Sequence, residues 1–571
     1  MRIQRIVISQ GEPSSLYFRG GTESEGRITL KSGERLSFDT YFNSFTYTKY
    51  QQYTTIDAIT FRGTVKGHAR VSLCTYDGKE EITVASTQAQ DSFALNASFS
   101  TLSKEAYLYP VIEAMDETIF LEGEYWSDAE GTSPSCAIAI CTYRREEYLK
   151  NNLKILKESR IPYIDHIIVV DNGGTVEKDM LDGDRVSLFP NPNYGGSAGF
   201  TRGIIEAKRA GHTHVILMDD DIVIYPEALE RMTVFLSLLA PAYKNAHISA
   251  AMLPTSCLYL QHEKGARWDG SHIESIHTKL DVRSCDALIE NLSDGPIGYG
   301  AWWCFCLPLS DVEEFGLPLP LFIKFDDVEY GIRCCKNAPI VTMSGIAVAH
   351  ADFDGKYNMH LEYYTIRNQL IMLASHRMQG TFGCILRLMK VTAKHIFLYR
   401  YSAMPILLRA FEDFLKGADF LMTQDAEKLN RSVMSMTPPA VELSTLPDWN
   451  PGLRNEYTPS RQNRLLLGIK SLTLGGHIIP AIFMKKKTAV APLPSAKPGD
   501  CFFYRRTIQY QQASDSGYVF EKSTWKFFGC LASAVKMAFK ILFGYRRAAK
   551  TYRESFTKMT SHEFWTHYLG L

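Results

Sequence analysis

Three adjacent carboxylates, Asp219, Asp220 and Asp221, cut through the apolar run HVILMDDDIVI. Three acids in a row repel one another, and a divalent cation relieves that repulsion. Oxygen ligands of this kind suit Mg²⁺ or Mn²⁺, ions that commonly bridge to a substrate's phosphates. The plain alternative is a solvated acidic turn. A second acidic group, Asp326, Asp327 and Glu329, follows FIKF and opens a helical stretch, where acids also serve as ordinary caps. His350 ends the apolar run VTMSGIAVAH; a lone histidine is usually structural, but at a strand end beside an acidic cluster it is a candidate third ligand. In the loop NYGGSAGFTRG, Gly195, Gly196 and Gly199 would let backbone N–H groups approach a phosphate or sugar with no Cβ in the way, and Arg202 could add charge. The loop is not a P-loop, since no GK[ST] follows, nor a dinucleotide fingerprint, since the acid it needs lies upstream at Asp171. Trp302 and Trp303 precede the run CFCLP and could offer a flat apolar face or merely a wall.

These groups need strands to bring them together. A continuous apolar run with no helical period reads as a strand buried on both faces, the kind found in mostly parallel sheets, and ligands bind beyond the carboxyl ends of such strands. CAIAICTYRREEYLKNNLKIL predicts a buried strand, Ala137 to Cys141, then a helix with Tyr148, Leu149, Leu153, Ile155 and Leu156 near helical spacing; IDHIIVVDNGG predicts a second strand ending at Asp171. The alternation continues through the Gly-rich loop to the acidic strand, a doubly wound α/β pattern with right-handed crossovers. Before it, residues 1–130 alternate apolar with polar and break at Gly and Asp, as in an antiparallel sandwich; Tyr41, Phe42, Phe45, Tyr47 and Trp126 are expected in its core more than as sugar-stacking platforms. After about residue 360 the pattern is helical. From Lys522 to Arg553 there are eight Lys or Arg and no acid, with Trp525, Phe528, Val535, Phe539 and Leu542 spaced for one helical face. That face could lie on an anionic membrane or pack on the protein's own core, and the two are held even.

At 571 residues the chain exceeds one core, and a prior of roughly 150 residues per domain suggests three or four domains. Lys plus Arg (62) equals Asp plus Glu (62), which argues against nucleic acid as a partner. The N-terminus lacks the apolar core of a secretory signal and no uninterrupted apolar run approaches about 20 residues, so a cytoplasmic protein is expected. Twelve cysteines without paired CxxC spacing, several inside apolar runs (Cys136, Cys141, Cys304, Cys306), are expected to be reduced thiols.

The ordered set CTYRRE, VVDN, NPNYGGSAGFTRG, LMDDD, AWWCFCLP, FIKFDDVEYGIR and AHADF resembles the family-2 glycosyltransferases of GT-A fold, and among them the bacterial galactofuranosyltransferases that polymerise galactan. SFDTYFNSF in the strand-rich first region is similar to the same subgroup. The resemblance implies a multidomain α/β chain: an N-terminal β-sandwich at 1–130, a GT-A (Rossmann-like) mixed sheet at 131–375, and a helical C-terminal region at 376–571 with the basic amphipathic tail. It implies that Thr142, Tyr143, Arg145 and Asp171 hold the uridine, with Arg144 an alternative to Arg145, and that Asn193, Gly196, Arg202 and Asp219 complete the nucleotide-sugar site. Asp219, Asp221 and His350 would hold Mn²⁺ or Mg²⁺ against the donor diphosphate, with Asp220 behind them. Asp327 would be the general base of an inverting displacement, Asp326 and Glu329 would orient acceptor hydroxyls, and Trp302 and Trp303 would face the acceptor sugar. The implied reaction moves galactofuranose from UDP-galactofuranose to a hydroxyl of a growing cell-surface glycan, lipid-linked or polysaccharide. The rivals are a dTDP-rhamnose-dependent rhamnosyltransferase and an inactive carbohydrate-binding scaffold. Peripheral contact with the inner face of the cell membrane through 522–553 is expected on the membrane reading of the tail, and homo-oligomer formation stays open.

Overall fold

The computed structural model describes all residues except 9–12, 178–182, 184, 337, 352–357, 456, 458–468, 471 and 512–513. The chain forms two compact units: Met1–Pro318 with Asp327–Ala351, and Leu319–Asp326 with Asp352–Leu571. The expected sandwich and mixed sheet thus share one unit, and the short segment 319–326 belongs to the other.

In the first unit, an antiparallel six-stranded sheet and a four-stranded sheet form the N-terminal region. Its alternation is plain in Ser92–Ser98, where every second side chain is buried. Tyr41, Phe42, Phe45 and Tyr47 are all buried, and Phe45 stacks between Tyr50 (4.9 Å) and Tyr125 (4.7 Å), so these rings build core. Trp126 lies at a strand end with the Arg62 guanidinium over its ring.

The elements that follow are β1 (Cys136–Thr142), α1 (Glu146–Glu158), β2 (Ile164–Asp171), β3 (Val186–Pro190), α2 (Gly195–Arg209), β4 (His214–Asp219), β5 (Ile222–Ile224), β6 (His247–Ser249), β7 (Ala251–Pro254), β8 (Cys304–Pro308), α3 (Asp326–Cys334), β9 (Ile340–Val341) and β10 (Ala347–His350). Seven of the strands form a mixed sheet in the order β3-β2-β1-β4-β8-β6-β9, with β3, β2, β1 and β4 parallel and β8 antiparallel to β4. β5, β10 and β7 form a separate small sheet. The unbroken apolar character of β1 and β4 follows from burial on both faces. On α1 the buried positions are Leu149, Asn152, Leu153 and Leu156, while Tyr148, expected on the apolar face, is exposed.

The second unit contains α4 (Met359–Ser375), α5 (Thr381–Phe397), α6 (Met404–Leu415) and α7 (Thr524–Glu554). It is not purely helical, as expected from the sequence: Val441–Glu442, Ser516–Glu521, Arg506–Tyr510 and Ala489–Pro492 form a four-stranded sheet. These strands have six residues at most, too short for alternation to stand out against the long helices around them. Among the described residues α7 is the one helix long and apolar enough to cross a membrane by length and composition. The sequence argument missed this because Lys536 and Lys540 interrupt the apolar run without lowering its average enough. The face named from the sequence, Trp525, Phe528, Val535, Phe539 and Leu542, is exposed and does not pack on the unit's own core; a different set, Phe527, Met537, Ile541, Tyr545 and Tyr552, is buried there.

Candidate active site

Strand register assembles the site. Thr142 at the end of β1 pairs with Asp171 at the end of β2, and Cys141 pairs with Asp219 at the end of β4. The chain turns through Asp220 and Asp221 into β5, where Ile222 pairs with His350 of β10. That register sets His350 beside Asp221, a pairing that distance along the sequence does not reveal.

Asp219, Asp221 and His350 offer ligand atoms that all lie within 4.8 Å of one another. His350 Nε2 is 3.1 Å from Asp221 Oδ1, and its Nδ1 faces the Ala351 carbonyl at 2.6 Å, which fixes the ring's orientation and leaves Nε2 for the acids. Burial first, and then repulsion from Asp221, pushes Asp219 up to about 7. Burial alone would lower His350, but the Asp221 hydrogen bond and charge outweigh it and raise it. Two crowded carboxylates and an imidazole oriented from behind suit a hard divalent cation, so the donor set fits Mn²⁺ or Mg²⁺.

Asp220 turns away from this triad. Its Oδ2 accepts from the Thr142 hydroxyl at 2.8 Å, its Oδ1 from Arg145 at 2.9 Å, and its backbone carbonyl from Asn152 at 2.9 Å. The same Arg145 guanidinium reaches Asp221 Oδ2 at 2.8 Å. Thr142 and Arg145 therefore brace the acidic turn. Arg144 has φ +56° and lies over the exposed Tyr143 ring. Asp171 is spent on its own loop: Oδ1 accepts from Gly173 and Gly174 N–H and Oδ2 from Val176 N–H, all at 2.8–2.9 Å.

The Gly-rich loop divides its labour differently from expectation. Asn172 and Asn191 clasp side chain to side chain at 2.8 Å, and Asn172 also donates to the Gly195 carbonyl at 3.0 Å, holding the start of α2 against the end of β2. Asn193 and Gly196 are half-buried at this helix start, which the Tyr194 side chain does not cap. Gly199 instead serves packing: a Cβ there would lie 2.1 Å from Cys141 Sγ, and one at Gly203 would lie 2.6 Å from Ala139 Cβ. Arg202 donates to Glu206 at 2.7 Å and lies over Phe189, engaged within its own helix and the sheet edge.

Trp302 and Trp303 are buried; Trp303 Nε1 donates to the Ala250 carbonyl at 3.0 Å, and Trp302 meets Phe200 and Tyr330 edge-on. They form a wall rather than an open stacking face. Glu329 is fully buried and grips Arg333 with both oxygens, at 2.8 and 2.9 Å, so its geometry is that of an internal ion pair and not of an acceptor contact. Asp327 is half-buried at the start of α3, next to the buried Asp326.

Two features escaped the sequence. Glu263 is buried, accepts from the Ser275 hydroxyl and is pushed up to about 7 by burial, with Asp327's charge adding to it. Burial also raises Tyr299, again with Asp327 and Glu263 contributing, so the three share one electrostatic cluster. Glu263 stands alone in LQHEKGARW and carries no sequence signal. The second feature lies in the other unit, where Phe322, Lys324 and Phe325 all have positive φ, between +67° and +74°. Asn368 of α4 donates to the Leu321, Ile323 and Lys324 carbonyls at 2.8–3.0 Å and Arg367 to Leu321 at 2.9 Å, over-determining a strained loop that runs straight into Asp326. Of the AHADF motif, Asp352 and Phe353 lie outside the described residues.

Residues 137–237 match the family described as Glycosyl transferase family 2, and residues 4–128 match the family described as Galactofuranosyltransferase 2 N-terminal. The chain is similar to galactofuranosyltransferase GlfT2 of Mycobacterium tuberculosis, 25% identical over 99% of this chain and 96% of that protein. It is similar at the same 25% to galactofuranosyltransferase GlfT2 of Mycolicibacterium smegmatis, over 99% and 95%. Among solved structures it is similar to a mannosyltransferase from Pyrobaculum calidifontis in complex with GDP-Man and Mn²⁺, at 13% identity over 55% of this chain and 83% of that one, TM-score 0.31. A second is glucosyl-3-phosphoglycerate synthase from Mycobacterium tuberculosis, at 13% identity over 42% and 79%, TM-score 0.29. With a family-2 domain laid over β1 to the acidic turn and a galactofuranosyltransferase-type domain before it, the chain is a family-2 glycosyltransferase related along its length to galactofuranosyltransferases.

Proposed function

We propose that the protein transfers galactofuranose from UDP-galactofuranose to a hydroxyl of a growing cell-surface glycan, lipid-linked or polysaccharide, by a single displacement with inversion at C1. The observation that carries this is the Asp219–Asp221–His350 cluster at the strand ends of a family-2 domain; the donor sugar rests on the names of the two relatives. Asp219, Asp221 and His350 hold Mn²⁺ or Mg²⁺, which supplies Lewis-acid neutralisation of the departing UDP. Thr142, Asn152 and Arg145 keep the acidic turn in shape by holding Asp220. The start of α2, clasped by Asn172 and Asn191, sets the floor for the donor diphosphate. Asp327 takes the proton of the acceptor hydroxyl as its oxygen bonds to C1 and the bond from C1 to the phosphate oxygen breaks. Glu263 takes the acceptor-orienting role that the sequence suggested for Glu329, since it shares Asp327's surroundings. The protein works peripherally at the inner face of the membrane.

Purified protein incubated with UDP-galactofuranose, Mn²⁺ and a galactofuranosyl acceptor is expected to give a longer glycan and UDP. Silence there, with turnover of dTDP-rhamnose, would refute the donor assignment.

A further inference from the structure

The acidic cluster lies at the ends of the parallel strands, and the starts of the same strands carry a second group of polar side chains that the transfer reaction does not use. Ser135 precedes β1, His166 is in β2, Ser187 is in β3, and His212 lies in the turn before β4. They form one chain of contacts. Ser135 Oγ is 2.8 Å from His212 Nδ1, His212 Nε2 is 3.3 Å from His166 Nδ1, and His166 Nε2 is 2.8 Å from Ser187 Oγ. Register explains the convergence: β2 and β4 flank β1, with Ala137 paired to His166 and Cys136 to His214, while Ile168 of β2 pairs with Ser187. The two imidazoles therefore reach toward each other across the start of β1. Their ring centroids are 5.4 Å apart and their planes are tilted by 38°, so they meet nitrogen to nitrogen and do not stack. All four side chains are half-buried, which leaves the pair open to solvent on one side.

Each ring is held from behind by a serine hydroxyl, and the long contact in the chain is the one between the rings. At 3.3 Å it exceeds the usual range of about 2.7–3.2 Å for a hydrogen bond from N–H. Two nitrogens bound at about 2.0–2.1 Å to one tetrahedral ion stand about 3.3–3.4 Å apart. We propose that His166 Nδ1 and His212 Nε2 bind a divalent ion of the zinc class, Zn²⁺, Ni²⁺ or Cu²⁺, at the opposite end of the strands from the acidic cluster, with water completing the ion's shell. Imidazole nitrogen suits these borderline ions, whereas carboxylate oxygens suit Mg²⁺ and Mn²⁺, so the two sites select different metals. A metal needs the neutral imidazole, and burial lowers both histidines, with the His212 ring lowering His166 further. The exposed Asp165 acts on His212 in the other direction and places a negative charge near the ion. Ser135 and Ser187 do for these rings what carbonyls and carboxylates do behind other metal-bound histidines: they fix which nitrogen faces the ion. The bound ion ties β2 to β4 over β1, a cross-link at the floor of the sheet that takes no part in the transfer of a sugar.

The test uses the full chain, stripped of metal by chelation. Calorimetric titration with Zn²⁺, and titration with Co²⁺ read by its visible absorption, are expected to show a site that His166→Gln and His212→Gln each remove and that Asp221→Asn, which alters the acidic cluster, leaves in place. Zn²⁺ is expected to raise the Tm of the wild type and of Asp221→Asn, and the part of that rise owed to this site should vanish in both histidine variants. Ser135→Ala and Ser187→Ala keep both rings and should weaken Zn²⁺ about 10–100-fold, so the reading survives a glutamine variant that fails to fold. Zn²⁺ stoichiometry and Tm response that are the same in wild type and in all four variants of the chain of contacts would overturn the proposal. So would a wild type whose Zn²⁺ uptake is lost entirely in Asp221→Asn, which would leave the histidine pair a plain hydrogen bond. Because the count is taken without donor or acceptor, it stands or falls apart from the galactofuranosyl transfer reaction.

Discussion

Replacing Glu329 by Gln separates a structural role from an acceptor-binding one. Glu329 and Arg333 sit one turn apart on α3, fully buried, joined by two hydrogen bonds of 2.8 and 2.9 Å, and Arg333 also donates to the Leu317 carbonyl at 3.0 Å. Removing one partner of a buried pair leaves an uncompensated charge and costs about 3–5 kcal/mol. For a unit of this size the expected fall in Tm is on the order of 5–10 °C. Replacing both partners with apolar residues of similar volume, E329L/R333M, should restore most of that loss, because no lone charge remains. Thermal melts by circular dichroism measure the stability, and acceptor KM is determined well below the melt, where Glu329→Gln should stay within about twofold of wild type. An unchanged Tm together with an acceptor KM raised about tenfold would refute the assignment and return Glu329 to the acceptor site.

Asp327→Ala is expected to keep UDP binding by calorimetry while turnover falls about 10²–10⁴-fold, the range for loss of a general base. Thr142→Val removes the hydroxyl that holds Asp220, and Mn²⁺ affinity, read by titration calorimetry, should weaken about 10–100-fold. Glu263 carries a folded-state pKa of about 7 against an ordinary 4.5. Because that pKa is raised, its contribution is fully favourable below about 4.5 and is lost as pH rises through about 7. The Tm should therefore decline over that window, and Glu263→Gln should flatten the decline; a parallel profile in the variant would count against it. Asn368→Ala frees the three carbonyls of the strained loop before Asp326, and kcat should fall with donor Kd unchanged.

Much of the site could be read from the chain because its chemistry sits at strand ends. β1, β2 and β4 are apolar runs that stop at Thr142, Asp171 and Asp219, and a parallel sheet brings such ends together whatever the loops do. His350 followed from the same logic, although only the pairing of β5 with β10 shows why it reaches Asp221. Residues on helix faces were harder. Glu329 and Arg202 lie in motifs, yet each spends its charge on a neighbour within its own helix, Arg333 or Glu206, and spacing of three or four residues is as compatible with an internal pair as with a ligand. Glu263 and Asn368 left no trace because their significance depends on elements distant in sequence. Tyr41, Phe42, Phe45 and Tyr47 are buried although they lie in a turn, at an isolated bridge and at the start of a helix, where strand alternation gives no guidance, and Trp126, at a strand end, is only half-buried.

Gly199 and Gly203 set how closely α2 approaches β1. With Cys141 Sγ where a Cβ at 199 would sit, and Ala139 Cβ close to that of 203, α2 rests on β1 with hydrogen atoms as its only spacers. On the proposed reading of the start of α2 as the diphosphate floor, its depth would be set by two residues that need not touch the donor. A single methyl at either would lift the helix start by a fraction of its own diameter, and the enzyme would feel it as a nucleotide held slightly too high, a defect in affinity with its origin on the far side of the helix.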